Sequence, residues 1–308
     1  MRNNIKYILF FLSITIGMNA QQDPQFTQYM YNMSVVNPAY TTGDEGVLNM
    51  GVIHRSQWVG VTGAPNTTSL FFHTPISNKI EVGFSFTNDN VGDIVKENNI
   101  YGDFAYRLDL EDYGNLSFGL KAGITFFDVD FTGFNLEDDT DFGFAFQPIN
   151  KTFFNIGAGV YYNTDTYYFG VSVPNLLKSQ HIDEENGNYS GVEESHWFIT
   201  GGYVYTVNDQ FKVKPAFMAK AVKGSPIAFD LTANVLYNER VELGVAYRFG
   251  DAVSGLINFR ATPELRIGYA YDYTTSNLGN YSSGSHEIMI LYDLDILKRG
   301  YDKSPRFF

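Results

Sequence analysis

The chain has 308 residues, a formal net charge of −13 and no cysteine. Disulfides, thiol nucleophiles and cysteine metal sites are therefore excluded, and the acidic balance argues against a nucleic-acid-binding surface. Aromatic residues make up 17% of the chain and 29 glycines accompany them, a pairing that suits a barrel with aromatic girdles and a small-residue interior better than a soluble enzyme.

In chain order, Arg2 and Lys6 precede an apolar run, Tyr7–Met18, that closes on Met18-Asn19-Ala20. A basic start, a dozen apolar residues and a small residue at the cut predict a signal peptide over 1–20 and a mature chain from Gln21. The run is too short for a membrane-spanning helix, and no later stretch reaches 18 consecutive apolar residues. An exported chain of this kind crosses a membrane, if it does, as strands.

Residues 21–45 do not alternate. Pro24 suits a first helical turn, and Phe26, Tyr29, Met30 and Met33 have helical spacing, which predicts a short amphipathic helix followed by a turn at Asn37-Pro38. Such a lead-in could plug a barrel, meet a periplasmic partner, or pack beneath the first strand.

From Gly46 the chain reads as about fourteen strands: 46–58, 66–75, 79–89, 94–108, 114–131, 152–163, 166–174, 194–207, 210–222, 226–237, 240–250, 253–261, 264–274 and 284–294. Successive side chains on a strand point to opposite faces. In the fifth, Leu116, Phe118, Leu120, Ile124 and Phe126 oppose Ser117, Gly119, Lys121, Gly123 and Thr125. In the thirteenth, Leu265, Ile267, Tyr269, Tyr271 and Tyr273 oppose Arg266, Gly268, Ala270 and Asp272. A soluble core cannot bury such charges without partners, whereas a wet lumen can hold them. The inward charges read as Arg55, Glu81, Asp103, Arg107, Lys121, Asp230, Glu242, Arg248, Arg260, Arg266 and Asp272, mixed in sign, which predicts ion-pair ladders. Pro215 falls within a strand, where its missing donor predicts a bulge.

The connections alternate too. Every second one is short (77–79, 109–114, 163–166, 208–210, 238–240, 262–264), and the other set holds the long ones, Thr132–Lys151, Asn175–Glu193 and Thr274–Ser283. Short periplasmic turns opposite longer outer loops are the signature of an outer-membrane barrel. The expected organisation is thus all-β: a signal peptide over 1–20, a periplasmic or plug segment over 21–45, a transmembrane antiparallel barrel over 46–294 and a periplasmic tail over 295–308.

Catalytic motifs are missing: no G-x-S-x-G, H-E-x-x-H, phosphate loop or dinucleotide fingerprint occurs. His54, His73, His181, His196 and His286 are scattered, without ligand spacing. Glu137-Asp138-Asp139-Thr140-Asp141 could hold calcium but lacks the calcium-loop spacing and reads as a solvated loop. The expectation is no enzyme, no cofactor and no metal.

Two stretches carry a resemblance. Asp23-Pro24-Gln25-Phe26-Thr27-Gln28-Tyr29-Met30 and Asn37-Pro38-Ala39-Tyr40 stand near the start. Gly284-Ser285-His286-Glu287-Ile288-Met289 and Ser304-Pro305-Arg306-Phe307-Phe308 stand near the end. The chain resembles the PorP/SprF family of outer-membrane proteins, associated with type IX secretion and gliding motility in Bacteroidetes. The resemblance implies a barrel that assists export or surface attachment of a partner carrying a type IX C-terminal signal, together with other components of that system and outer-membrane lipid. It brings no catalytic residues. The alternative is a porin or a channel for hydrophobic solutes, which a strand count between the side-chain-filled and channel-forming barrels does not exclude. Phe134, Phe142, Phe144, Phe146 and Tyr189, aromatics among acids in the two longest outer loops, are the candidate partner contacts.

Overall fold

The fold is that of a computed structural model, which describes residues 25–42, 46–92, 94–130, 148–182 and 191–296. Fourteen strands form a closed antiparallel barrel. We number them β1 (Val47–Ser56), β2 (Asn66–Ser77), β3 (Ile80–Val91), β4 (Val95–Asp109), β5 (Asn115–Val129), β6 (Ile149–Asn163), β7 (Tyr167–Val173), β8 (His196–Tyr203, resumed at Tyr205–Thr206), β9 (Phe211–Val222), β10 (Ala228–Tyr237), β11 (Val241–Arg248), β12 (Ala252–Arg260), β13 (Leu265–Thr274) and β14 (Ser285–Asp295). Each lies within a few residues of its expected position. Neighbours in sequence are neighbours in the wall, and β1 pairs with β14 from Val47↔Asp295 to Ser56↔His286, which closes the ring. Closure leaves no lateral edge of the sheet as a whole, as lipid requires. A short hairpin, Ser179–Ile182 with Gly191–Glu193, stands on the connection between β7 and β8.

The alternation in sequence becomes two faces of one wall. On β13, Ile267, Tyr269 and Tyr273 are exposed while Gly268, Ala270, Asp272 and Thr274 are buried. On β11, Val245 is 62% exposed and Arg248 only 7%. Apolar residues out and polar residues in is the reverse of a water-soluble barrel, and it places hydrocarbon against the outer wall. At the short-turn end, Tyr162 and Tyr167 have ring centroids 5.8 Å apart, and Phe211 and Tyr237 4.9 Å. These pairs form part of an aromatic girdle.

Two expectations change. The bulge predicted at Pro215 is not there: Lys214↔Asn234, Pro215↔Ala233 and Ala216↔Thr232 keep an unbroken register. The interruption falls in the facing strand, β8, which breaks at Val204 between Gly202↔Ala216 and Tyr205↔Val213. A missing donor deletes a hydrogen bond but need not insert a residue, so the register is conserved across the break. Among the described residues of the wall, a register shift lies instead at the other strand proline, between Pro75 and Ser77. The predicted amphipathic helix is in fact two single turns, a 3-10 turn at Tyr29–Tyr31 and an α turn at Met33–Val36, separated at Asn32. Its buried residues are not confined to a face, since Gln28, Tyr31 and Asn32 are as buried as Tyr29 and Met30. The segment is surrounded by the barrel, so a one-sided stripe has no meaning there.

Candidate functional site

The inward charges meet across the ladder. Asp230 and Arg248 are register partners on β10 and β11 and pair at 3.0 Å. Asp103 and Lys121 are partners on β4 and β5 and approach to 3.4 Å. Arg55 on β1 contacts Asp272 on β13 at 2.6 Å and its register partner Glu287 on β14 at 3.3 Å. Opposite charges facing one another on adjacent strands support the sheet, and their pairing is what makes burial at this depth tolerable. Arg107, Arg260 and Arg266 are half-buried, nearer the short-turn rim.

This lining is a seat for residues 25–42. At the segment's outer end the Thr27 and Gln28 N–H groups each donate to Glu287 at 2.8 Å, and the Thr27 hydroxyl donates to Asp272 at 2.8 Å. Arg55 donates to the Thr27 oxygen at 3.1 Å. Nearer the short turns, the Tyr31 hydroxyl donates to Glu242, which also accepts from Asn234 at 2.7 Å and Asn258 at 3.3 Å. Lys214 and Arg266 lie over the Tyr31 ring, 5.3 and 5.1 Å from its centroid. Lys121 donates to the Val35 carbonyl at 3.1 Å and Ser172 to the Val36 carbonyl at 2.8 Å, satisfying carbonyls that a one-turn helix leaves open.

The turn beyond is held by shape. Asn37 accepts the Ala39 N–H at 2.9 Å and donates to Val160 O at 3.1 Å. A Cβ on Gly119 would stand 2.2 Å from Ala39 N and from Pro38 C, and one on Gly159 would stand 2.1 Å from Asn37 Oδ1. At the short-turn end Thr41 meets Ser117 at 3.0 Å and the Thr42 N–H donates to Glu81 at 3.0 Å. Apolar packing joins these contacts: Phe26, Tyr29, Met30 and Met33 share one buried cluster with Ile53, Phe71, Tyr161, Phe198, Met218 and Met289. The chain thus descends through the lumen from the loop side to the turn side, where β1 begins.

The two stretches that carried the resemblance meet here, because Thr27 and Gln28 dock on Glu287. Sequence reasoning put Asp272, Glu242 and Lys121 on the inner face but missed what they hold, and it foresaw no contact for Glu287, Lys214 or Gly119. Glycine at inward positions Gly119 and Gly159, where a wet lumen would accept any small polar residue, was the available signal for close backbone approach. Phe134, Phe142, Phe144, Phe146 and Tyr189 lie outside the described residues, as do the acidic loop at 137–141, the leader and the tail from 297. Among the histidines, His54 faces outward against Thr68 at 2.9 Å, His73 is buried with its ring edge-on to Tyr40, and His286 meets the Tyr269 hydroxyl at 2.7 Å. No group of three metal-ligating side chains occurs among the described residues.

A closed barrel with an apolar outer wall and a charge-lined interior defines the class, an integral outer-membrane β-barrel. The family described as type IX secretion system membrane protein PorP/SprF matches residues 18–292, and the chain belongs to it. Among solved structures, the toluene transporter TbuX of Ralstonia pickettii is similar with a TM-score of 0.51 at 12% identity, over 84% of this chain and 92% of that one. A FadL homologue of Pseudomonas aeruginosa gives 0.49 at 11% identity, over 85% and 94%. The outer membrane protein Omp33 of Acinetobacter baumannii gives 0.48 at 8% identity, over 82% and 99%. At these identities the likeness is one of fold. No functionally curated protein matches the chain. Family and fold are those of a membrane barrel in secretion, not of a known enzyme class.

Proposed function

We propose that this barrel assists the secretion or cell-surface attachment of a partner protein exported by the type IX system, of the adhesin or gliding-motility kind. The observation that carries the reading is the seat of residues 27–42. A general porin needs a lumen open along its length for its solute. Here the lumen holds a peptide segment tied by Glu287, Asp272, Glu242 and Glu81 to strands on several sides of the ring. A barrel with its interior committed in this way works through its walls and loops. The aromatic residues of the outer loops (Phe134, Phe142, Phe144, Phe146 and Tyr189) remain the candidate contacts, and cleavage after Ala20 remains part of the proposal.

The test is deletion of the protein followed by mass spectrometry of surface proteins and small-solute uptake. One type IX-secreted protein should leave the surface while uptake is unchanged. An unchanged set of surface proteins with altered uptake would favour the channel and end the accessory reading.

A further inference from the structure

A strand in a barrel wall has two edges. Every backbone N–H and C=O on each must find a partner, and lipid offers none. β6 meets that demand toward β5 along its whole length, from Asn163 opposite Asn115 to Ile149 opposite Val129. Toward β7 the pairing stops early: β7 has 7 residues against 15 in β6, and the last register pair is Ala158 with Val173. Pro174 follows, and a proline does not extend a ladder.

The next bonds are irregular. Ile156 O accepts the Leu176 N–H at 2.8 Å, the Ile156 N–H is taken by the Asn155 side chain at 2.8 Å, and that side chain also holds Leu177 N–H at 3.1 Å and Leu177 O at 3.3 Å. Backbone groups alternate sides along a strand. The Thr164–Tyr167 and Ile156–Leu176 bonds put the even-numbered residues of β6 on the side away from β5. On that side Phe154, Thr152 and Asn150 face no strand among the described residues.

Height in the membrane matters as much. Phe154 is 71% exposed and Ile156 47%, both outward, whereas the next outward residues, Thr152 and Asn150, are polar. β5 changes one outward pair later, since Phe126 stands opposite Thr152 and Asp128 opposite Asn150. The apolar band therefore ends about the level of Thr152, and the stretch of edge that faces no strand among the described residues runs from the lipid boundary toward the long-loop side. Just below it the outer wall carries an apolar groove lined by Val173, Leu176 and Trp197.

We propose that this edge, Asn150 to Phe154, docks an extended segment of a secreted partner protein, which adds to the wall as a further strand. The proposal rests on the accessory reading above. A row of donors and acceptors at strand spacing is matched by another strand, and neither a lipid tail nor a small solute offers that pattern. Recognition through the backbone gives attachment, and Phe154, Ile156 and Trp197 offer apolar contacts for alternate side chains of the added strand.

Parity supplies the test. Thr152→Pro removes one edge-facing donor and places a ring on the docking line, a change edge strands tolerate. Thr152→Ala leaves the backbone intact. Phe153→Pro removes a donor to β5 and should abolish heat-modifiable folding. Thr152→Pro should fold yet lower the surface level of one type IX-secreted protein by about tenfold, the loss expected from one edge hydrogen bond and its surroundings. Thr152→Ala should not. If whole-protein deletion removes that partner while a folded Thr152→Pro barrel retains it, the edge proposal fails and the accessory reading stands. If deletion leaves every secreted protein in place, the accessory reading fails and takes the proposal with it. Amide hydrogen exchange on the wild-type barrel in detergent needs no variant. Fast exchange at Thr152 and Phe154 beside a protected Gly159 supports the open edge, and protection at all three means the chain covers its own edge and overturns the proposal.

Discussion

The segment in the lumen is gripped at its two ends by different physics. At Thr27-Gln28 the grip is charge: two carboxylates and one guanidinium, all nearly inaccessible, converge on two N–H groups and a hydroxyl. At Asn37–Ala39 the grip is shape: the chain lies so close to β5 and β6 that glycine is required on the wall beneath it. Charge acts over several ångströms and sets where the segment sits, at the cost of desolvating ions. Steric contact acts over tenths of an ångström and sets how closely it lies. The two ends should therefore fail differently.

The largest effect is expected at the charged end. Arg55→Met leaves Asp272 and Glu287 buried side by side without their cation, which should cost about 3–5 kcal/mol, read as the loss of unfolding free energy in a denaturant titration of the folded barrel. Adding Asp272→Asn and Glu287→Gln to Arg55→Met should recover most of it, because neutral partners of similar shape remove the uncompensated charge. A loss below about 1 kcal/mol for the single change would mean that Arg55 does not anchor the segment.

At the other end Gly119→Ala should cost about 1–3 kcal/mol, the usual penalty for forcing a methyl into a filled space. The obstacle is the backbone of Pro38 and Ala39, which cannot turn aside. Gly159→Ala should cost less, since the atom it would strike belongs to the Asn37 side chain. Equal losses at the two glycines would break the argument that the tight approach at β5 is what sets the depth of the segment.

Much of this frame was legible in sequence, and its limits have physical causes. Period-two alternation is dictated by the wall itself, which is apolar on one side and polar on the other, so β5 and β13 could be read residue by residue. The inward position of Arg55, Asp230 and Asp272 followed from the same parity. What they bind did not, because pairing across 245 residues, as between Thr27 and Asp272, leaves no local pattern. The lead-in misled for a related reason. Helical spacing predicts a helix with one buried face, and a chain enclosed on all sides has no free face to reveal. Pro215 misled because a lost donor and an inserted residue are separate events, although one often accompanies the other.

The smallest effect is expected where the chemistry of the charged end is repeated in water. Lys178 and Glu194, on the connection between β7 and β8, form an ion pair at 2.7 Å with side chains 52% and 26% exposed. The hydrogen bond from Lys178 holds the Glu194 carboxyl below its ordinary range. A carboxyl lowered in the folded state adds stability above its unfolded pKa and loses it as the pH falls through the folded value. Solvent and salt, however, screen the exposed pair. Lys178→Ala should leave the denaturation midpoint at neutral pH within experimental scatter, and raising the salt concentration should erase any difference between wild type and variant. Any small difference in pH dependence should fall in the carboxylate range, with the variant losing slightly less stability than wild type as the pH drops. If Lys178→Ala instead weakened the barrel as much as Gly119→Ala, depth would not be what separates the two charge clusters, and the contrast drawn between the ends of the lumen segment would have to rest on geometry alone.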